Sequence, residues 1–197
     1  MDNKIKRRII KGCLRGNHRA QKELYDYFSR DMFRVCLMYA ADYDAANDML
    51  QEGFLKVFKN LHKYKLDGSL GGWIRTVIVH SCIDQIRVNT WNKKRQFVDE
   101  DYQMDTLLVS FNEVENRFRE SDFLEIIKEL PEGYRTVLNL YFLEGYKHFE
   151  IAEKLDITEG TSKSQLYKGK RYLKEILEKN LSPEEISKYE GLDQKVV

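Results

Sequence analysis

Apolar residues recur about once per helical turn along most of the chain, and this spacing predicts helices. Residues 18–40 show the pattern clearly, because Leu24, Phe28, Met32 and Val35 form one apolar stripe. Polar and charged side chains fill the positions between them. We therefore expect a long helix here with one face buried against the rest of the fold.

Two further segments of the N-terminal half, 4–16 and 42–61, carry the same period. Residues 73–88 are rich in β-branched side chains, yet their length and apolar spacing favour a helix over a strand. The side chains of 42–61 and 73–88 that we expect to face the core are Ala45, Met49, Phe54, Val57, Leu61, Trp73, Val77, Cys82 and Ile86.

The periodic pattern stops at residue 89 and resumes at residue 119. The sequence between these points has mixed charge and an acidic cluster at 99–101, which is typical of a tether. We therefore predict an all-α fold in which two small helical domains are joined by a flexible linker. The predicted segments are an N-terminal domain 1–88, a linker 89–118, a C-terminal domain 119–180 that contains a helix-turn-helix, and a tail 181–197.

The C-terminal domain ends in a pattern of two short helices joined by a tight turn, within residues 146–174. Phe149, Ala152 and Leu155 form the apolar stripe of the first helix, and the small Ala152 would allow a second helix to approach closely. Thr158 lies after the turn and is a favourable N-cap for the second helix. This arrangement predicts a helix-turn-helix.

The second helix of this motif is strongly cationic. Between residues 159 and 174 the sequence has five Lys or Arg residues and one Glu. Helix-turn-helix proteins insert a helix of this kind into the major groove of DNA. An ordinary helical hairpin with a solvated charged face is the alternative. The side chains expected to face inward are Leu166, Leu173 and Leu177.

Composition and charge narrow the class of protein further. The 197 residues are 42% hydrophobic and 33% charged and include only 2 Pro, as expected for a soluble, mostly helical chain. No stretch has the roughly 18 uninterrupted apolar residues of a membrane helix, and no secretory signal is visible. The net charge of +1 conceals an excess of positive charge in the first 92 residues. Local positive charge of this kind suits a nucleic-acid partner.

The sequence offers no constellation for catalysis. Cys13, Cys36 and Cys82 are far apart and form no CxxC pair, so we expect buried free thiols. His80 and Asp84 lie one helical turn apart, but two neighbouring side chains do not make a metal site. We expect no enzymatic activity, no catalytic residue, no cofactor and no metal.

Two segments resemble bacterial RNA polymerase sigma factors, in the family's order and separation. Asp48–Phe58, DMLQEGFLKVF, resembles the most characteristic helix of the family, and the loop DGSLGGW with its adjoining helix resembles the family's next segment. The sequence from Leu130 to Glu175 resembles the C-terminal promoter-reading domain. With only these two domains and a linker, the chain is similar to the extracytoplasmic-function (ECF) group.

The resemblance implies a protein that binds core RNA polymerase, directs it to promoter DNA and helps to melt the duplex, without catalytic chemistry of its own. The polymerase contacts implied are the β′ clamp coiled coil and the β flap. The residues implied for polymerase docking are Asp48, Gln51, Glu52 and Leu55. Those implied for the −10 element are Lys63, Tyr64, Lys65, Trp73, Arg75, His80 and Arg87. Those implied for the −35 element are Lys163, Ser164, Gln165, Tyr167, Lys168 and Arg171.

The ECF resemblance also implies an anti-sigma partner, a cytoplasmic location and no membrane insertion of the chain itself. Three residues depart from the family pattern: His80 replaces a frequent Asn, Asp156 replaces a turn Gly, and Ser162 replaces an apolar residue. Asp tolerates the left-handed conformation, so the turn should form, whereas Ser162 should weaken the packing of its helix. Gln165 and Tyr167 also differ from the family's frequent choices, so relatives do not supply the promoter sequence.

Two other functions remain open at this point. A helix-turn-helix regulator would bind DNA without polymerase, and the docking helix Asp48–Phe58 argues against it. A polymerase-interaction protein would bind polymerase without reading a promoter, and the cationic helix around Lys163 and Lys168 argues against that.

Overall fold

A computed structural model of the chain describes residues 3–66, 68–92 and 120–180. Every regular element in these ranges is helical, so the predicted all-α class is confirmed. The chain divides into two compact units, Met1–Asn89 and Thr90–Val197. Among the helices described, none has the length and hydropathy that a membrane span needs.

The described part of the N-terminal unit contains four α-helices. Asn17 and Asp42 cap the second and third helices, because their side-chain oxygens accept hydrogen bonds from the backbone N–H groups of Ala20 and Ala45. A short 3₁₀ turn, Leu61–Lys63, ends the third helix. The helices are α1 (Asn3–Leu14), α2 (His18–Tyr39), α3 (Tyr43–Asn60) and α4 (Leu70–Asn92).

The core of this unit forms where α2, α3 and α4 meet. The predicted stripe of α2 is confirmed, since Leu24, Phe28, Met32 and Val35 are buried. The structure corrects the N-terminal half of the predicted α4 stripe, because Ile74 and Ile78 are buried where Trp73 and Val77 had been expected. Both of those side chains are half-buried. Trp73 instead packs against Tyr64 in the loop before α4. The side chains one position later along the helix, Ile74 and Ile78, therefore fill the core.

Gly53 allows α3 to approach α4 closely. A Cβ atom at this position would lie 2.5 Å from Cδ1 of Ile78. No side chain can be added there unless the helices separate or Ile78 moves. On the opposite, solvent side of the pair, the Nζ of Lys56 lies 2.9 Å from Oδ2 of Asp84 and joins the same two helices.

The three cysteines are free and buried, as predicted. The hydrogen bond of Cys82 with Cys36, together with burial, raises the pKa of the Cys82 thiol. The Cys82 thiol therefore remains protonated, and both buried side chains pack as small apolar groups. Within the residues that the structure describes, no cluster of His, Cys, Asp and Glu has a metal-binding arrangement.

In the C-terminal unit, the described residues 120–180 form four α-helices. Between the second and third of them, the chain widens into a π-helical turn, Asn139–Leu143, closed by a hydrogen bond from the Glu144 N–H to the Asn139 carbonyl. The helices are α5 (Glu120–Glu129), α6 (Glu132–Leu138), α7 (His148–Leu155) and α8 (Glu159–Asn180).

The core of the C-terminal unit confirms one predicted stripe and corrects another. Leu166, Leu173 and Leu177 of α8 are buried as expected. Phe149 is 57% exposed, whereas Ile151 is fully buried. The predicted stripe of α7 was wrong at Phe149 because α7 begins at His148, so Phe149 lies in the first turn on the solvent side.

Most of the predicted linker and all of the predicted tail lie outside the described residues, at 93–118 and 181–197. The first four linker positions, 89–92, belong to α4.

Candidate functional site

The helix-turn-helix is formed by α7 and α8, and its turn is set by Asp156. This residue has φ 56° and ψ 50°, in the left-handed region. Of the residues with side chains, Asp and Asn enter this region most readily. The Ile157 N–H then donates to the Ala152 carbonyl, and Oγ1 of Thr158 accepts from the Thr161 N–H at 2.9 Å. The turn therefore forms without glycine, and Thr158 is the N-cap that the sequence predicts.

A polar contact joins the two helices of the motif. Nδ1 of His148 lies 3.0 Å from Oγ of Ser162, whose side chain is fully buried. The ring of Tyr141 stacks on the imidazole, with ring centres 4.9 Å apart. Ser162 was expected to weaken the packing of α8. The structure shows that its hydroxyl has a hydrogen-bond partner, so the buried polar group is not left unsatisfied.

The environment of His148 favours the neutral imidazole. Burial lowers its pKa, the cationic Lys163 lowers it further, and Glu159 opposes them. A neutral imidazole can exchange one hydrogen bond with the Ser162 hydroxyl in either direction. A proton taken up here would add charge at a partly buried position beside a lysine.

The charged residues predicted to contact the −35 element are placed on the solvent side of α8. Lys163 pairs with Glu159 at 2.7 Å, and Arg171 lies 3.7 Å from Glu175. Ser164 is half-buried, and its hydroxyl donates to the Thr161 carbonyl. Exposed ion pairs of this kind are worth at most about 1 kcal/mol, so a phosphate can replace the carboxylates. Tyr167 and Lys168 are half-buried on the same helix.

Gln165 does not share this placement. The residue is only 4% exposed, and its Oε1 has no hydrogen-bond partner within the described part of the chain. Position 165 lies one helical turn from Thr161 and Gly169, which are both on the buried side of α8. In this conformation the Gln165 amide lies on the buried side of α8, away from the solvent side that carries Lys163 and Arg171.

The loop before α4 contains the first residues predicted for the −10 element. Lys63 and Lys65 are exposed. Tyr64 is only 8% exposed, and its hydroxyl donates to the Gly68 carbonyl at 2.9 Å. Its ring contacts that of half-buried Trp73, with centres 5.6 Å apart. In this conformation the Tyr64 ring packs against Trp73 and is buried within the loop.

Helix α4 carries the remaining predicted −10 residues. His80 and Arg87 are exposed on the same side of the helix as Asp84, and Arg75 is half-buried. One guanidinium nitrogen of Arg87 lies 3.7 Å from Asp84. Since Asp84 also pairs with Lys56 of α3, this carboxylate holds two cations beside each other.

Helix α3 has an exposed face opposite its buried one. The predicted docking residues lie at positions i, i+3, i+4 and i+7, so they share one side of the helix. Leu55 is 64% exposed, although it is apolar. The other members of this face, which we call the α3 docking face, are exposed and polar: Asp48, Gln51 and Glu52.

The structure also places two residues at the loop before α4 that the sequence patterns did not reveal. Leu66 lies in the loop with a positive φ of 63° and is 49% exposed. Lys6 of α1 donates to the carbonyl of Gly68, 62 positions further along the chain. An apolar residue among polar loop residues could have drawn attention to Leu66. No periodic pattern relates position 6 to position 68.

Comparison with known proteins matches each of the two units to one region of a known family. The family description "Sigma-70 region 2" matches residues 24–92, and "Sigma-70, region 4" matches residues 121–173. Together these matches cover more than half of the chain. The chain belongs to the ECF group of RNA polymerase sigma factors. As a sigma factor it binds RNA polymerase and directs promoter recognition and transcription initiation.

Relatives of this sigma factor match it over nearly their whole length. The ECF RNA polymerase sigma factor SigM of Bacillus subtilis is 27% identical over 82% of this chain and 98% of its own. SigW of the same organism is 23% identical over 90% of this chain and 98% of its own. A solved structure of CnrH in complex with the cytosolic domain of CnrY covers 90% of this chain and 99% of that one, with 14% identity and a TM-score of 0.46.

Acidification is expected to destabilise the C-terminal unit through His148. The native state lowers the pKa of this imidazole below its ordinary value of 6.5, so the unfolded chain takes up the proton more readily. The contribution of neutral His148 to the free energy of unfolding is therefore complete above the ordinary pKa of 6.5 and is lost as the pH falls below it. Thermal unfolding of the wild type and of His148→Gln, between about pH 7.5 and pH 5.5, measures the difference.

The wild type should lose more stability over this interval than His148→Gln. As a control, His62→Gln alters an exposed histidine of the other unit and should keep the wild-type pH dependence. Equal pH dependence in the wild type and in His148→Gln would contradict the assignment to His148.

Proposed function

We propose that this ECF sigma factor uses three separate surfaces to direct initiation. The α3 docking face binds core polymerase, the loop Lys63–Gly68 with α4 binds the melted −10 element, and α8 binds the −35 element. The observation that carries the proposal is the exposed face of α3, on which Leu55 and three polar side chains remain uncovered in the free protein. No catalytic group takes part in this function.

The α3 docking face suits the β′ clamp coiled coil. An exposed leucine loses water contact when it is covered, and such central apolar residues often dominate binding energy. Asp48 and Glu52 can pair with arginines of a partner helix, and Gln51 can hydrogen-bond beside them. The β flap is the second polymerase contact proposed, for the C-terminal unit.

The α8 helix suits DNA because two of its cations, Lys163 and Arg171, form exposed ion pairs on its solvent side. Lys163 and Arg171 can exchange Glu159 and Glu175 for phosphates at little cost. Lys168, Ser164 and Tyr167 lie on the same helix and are proposed to complete the contact. Gln165 supports α8 from its buried side, so the base-reading role falls to the other side chains.

The loop and α4 are proposed to bind the strand that melting releases. Unpairing and unstacking a base costs a few kcal/mol, and cations along a groove offset part of this cost. The cationic residues proposed for this contact are Lys63, Lys65, Arg75 and Arg87, with His80 exposed on the same helix.

We also propose that an anti-sigma factor covers these surfaces when the sigma factor is inactive, in the cytoplasm where RNA polymerase acts. The argument is that cationic and apolar side chains of Lys63, Lys163 and Leu55 are exposed in the free chain. An affinity pull-down from uninduced cells should recover one regulator together with the sigma factor. Repeated recovery of polymerase with no regulator would contradict this partner.

Initiation itself is tested by transcription with purified components. The protein is added to sigma-free core polymerase on fragmented genomic DNA of the source, and the 5′ ends of transcripts are mapped. We expect discrete new starts that share two upstream elements. Polymerase binding without starts would favour an interaction protein. Sequence-selective DNA binding without polymerase binding would favour a helix-turn-helix regulator.

Truncation of Leu55 should weaken polymerase binding. Leu55→Ala removes the apolar centre of the α3 docking face, and loss of such a residue costs about 1–2 kcal/mol, or roughly tenfold in Kd. Binding of labelled protein to core polymerase is measured by fluorescence anisotropy. Leu14→Ala is the matched control, because Leu14 is an exposed leucine at the end of α1. Equal affinities of the two variants would refute the docking face.

A further inference from the structure

The loop between α3 and α4 is held closed by two donors on one carbonyl. Nζ of Lys6 donates to the Gly68 carbonyl at 3.0 Å, and the Tyr64 hydroxyl donates to the same oxygen at 2.9 Å. The Lys6 ammonium also lies 4.9 Å from the centre of the Tyr64 ring. We call this arrangement of Lys6, Tyr64 and Gly68 the loop clamp.

The loop clamp joins elements that are far apart in the sequence. Lys6 belongs to α1, whereas Tyr64 ends the 3₁₀ turn after α3. Trp73, in the first turns of α4, packs against the Tyr64 ring. The loop is therefore supported from α1, from the end of α3 and from the start of α4. Such support can hold a loop in one conformation rather than an ensemble.

Within the closed loop, Leu66 has a conformation that its side chain does not favour. Its φ of 63° lies in the left-handed region, as does the φ of 77° at Gly68. Glycine adopts this region freely, but a bulky side chain does so only when its surroundings enforce it. The strain at Leu66 is therefore maintained by the contacts on either side of it.

This conformation leaves an exposed apolar side chain in a cationic loop. Leu66 is half-exposed, and the neighbouring Lys63 and Lys65 are exposed. A single strand of DNA presents the complementary chemistry, because each apolar base face is attached to phosphates. Leucine is among the apolar side chains that proteins place against unstacked bases.

We propose that Leu66 is the apolar contact for one unpaired base of the melted −10 element, and that Lys6 is the residue that positions it. The inference rests on the proposed function of the loop. It takes the stacking role away from the Tyr64 ring, which is buried in the clamp. It also gives α1, which lies outside the matched region 2, a part in reading the promoter.

The base contact is tested by a double-mutant cycle between protein and DNA. Holoenzyme is assembled from core polymerase and the full-length chain, and its Kd is measured on a pre-melted template of a mapped promoter. Further templates each lack one non-template base of the −10 element. For one of these positions, loss of the base should weaken wild-type binding by about fivefold.

Leu66→Ala should weaken binding to the intact template to a similar extent and should be insensitive to loss of that same base. At every other abasic position, the loss of binding free energy caused by Leu66→Ala should add to the loss caused by the missing base. If Leu66→Ala shows no coupling to any position, Leu66 contacts no base and the proposal is overturned.

The positioning role of Lys6 is tested on the same templates. Lys6→Ala should weaken the coupling of Leu66 to its base, whereas Lys6→Arg retains a donor and should preserve it. Lys4→Ala is the matched control, because it removes an equal charge from an exposed position of α1. If Lys6→Ala and Lys4→Ala behave alike, Lys6 acts only through its charge and the positioning role is refuted.

Wild-type binding separates this inference from the proposed function. If the wild-type holoenzyme does not bind the pre-melted template, the proposed −10 function fails, and the inference fails with it. If the wild type binds but the cycle shows no coupling, only the inference fails. Thermal unfolding of each variant verifies that these surface substitutions leave the fold intact.

Discussion

The close approach of α3 to α4 at Gly53 is the contact on which the N-terminal unit depends. A Cβ there would meet Ile78 at 2.5 Å, so any other residue would force the two helices apart or displace Ile78. This contact fixes which side of α3 is buried and leaves Leu55 on the opposite side. It also sets the position of α4, whose first turns carry Trp73 and support the loop before α4. The exposed face around Leu55 and this loop thus share one packing constraint.

The C-terminal unit also depends on a close approach of two helices at a glycine, and it has a polar contact between helices in addition. A Cβ at Gly169 of α8 would lie 2.8 Å from Cδ1 of Leu138, so α8 packs tightly on α6. The contact of His148 with Ser162 then joins α7 to α8. A hydrogen bond between two partly or fully buried side chains has stricter geometry than an apolar contact. Ser162 thereby orients the cationic helix where an apolar residue would only fill space.

Sequence patterns were sufficient where the signal is local. Helical periodicity identified the elements, and Thr158 and Asp156 were interpreted correctly because capping and left-handed turns depend on adjacent residues. The expectations were wrong where two neighbouring positions are both apolar. Trp73 and Ile74 are both large and apolar, and only the tertiary packing decides that Ile74 is the one fully buried. Phe149 was misplaced because the start of α7 at His148 decides its direction.

The sequence by itself determined the all-α class, the helix-turn-helix and the family, since all three depend on residue types in order along the chain. Only the tertiary structure decided which candidate side chains are accessible. It buried Gln165 and Tyr64, and it exposed Leu66 in a loop where Lys6 donates to the Gly68 carbonyl, 62 positions away. The physical reason is that accessibility depends on which helices pack together, and such contacts join residues that no local spacing relates.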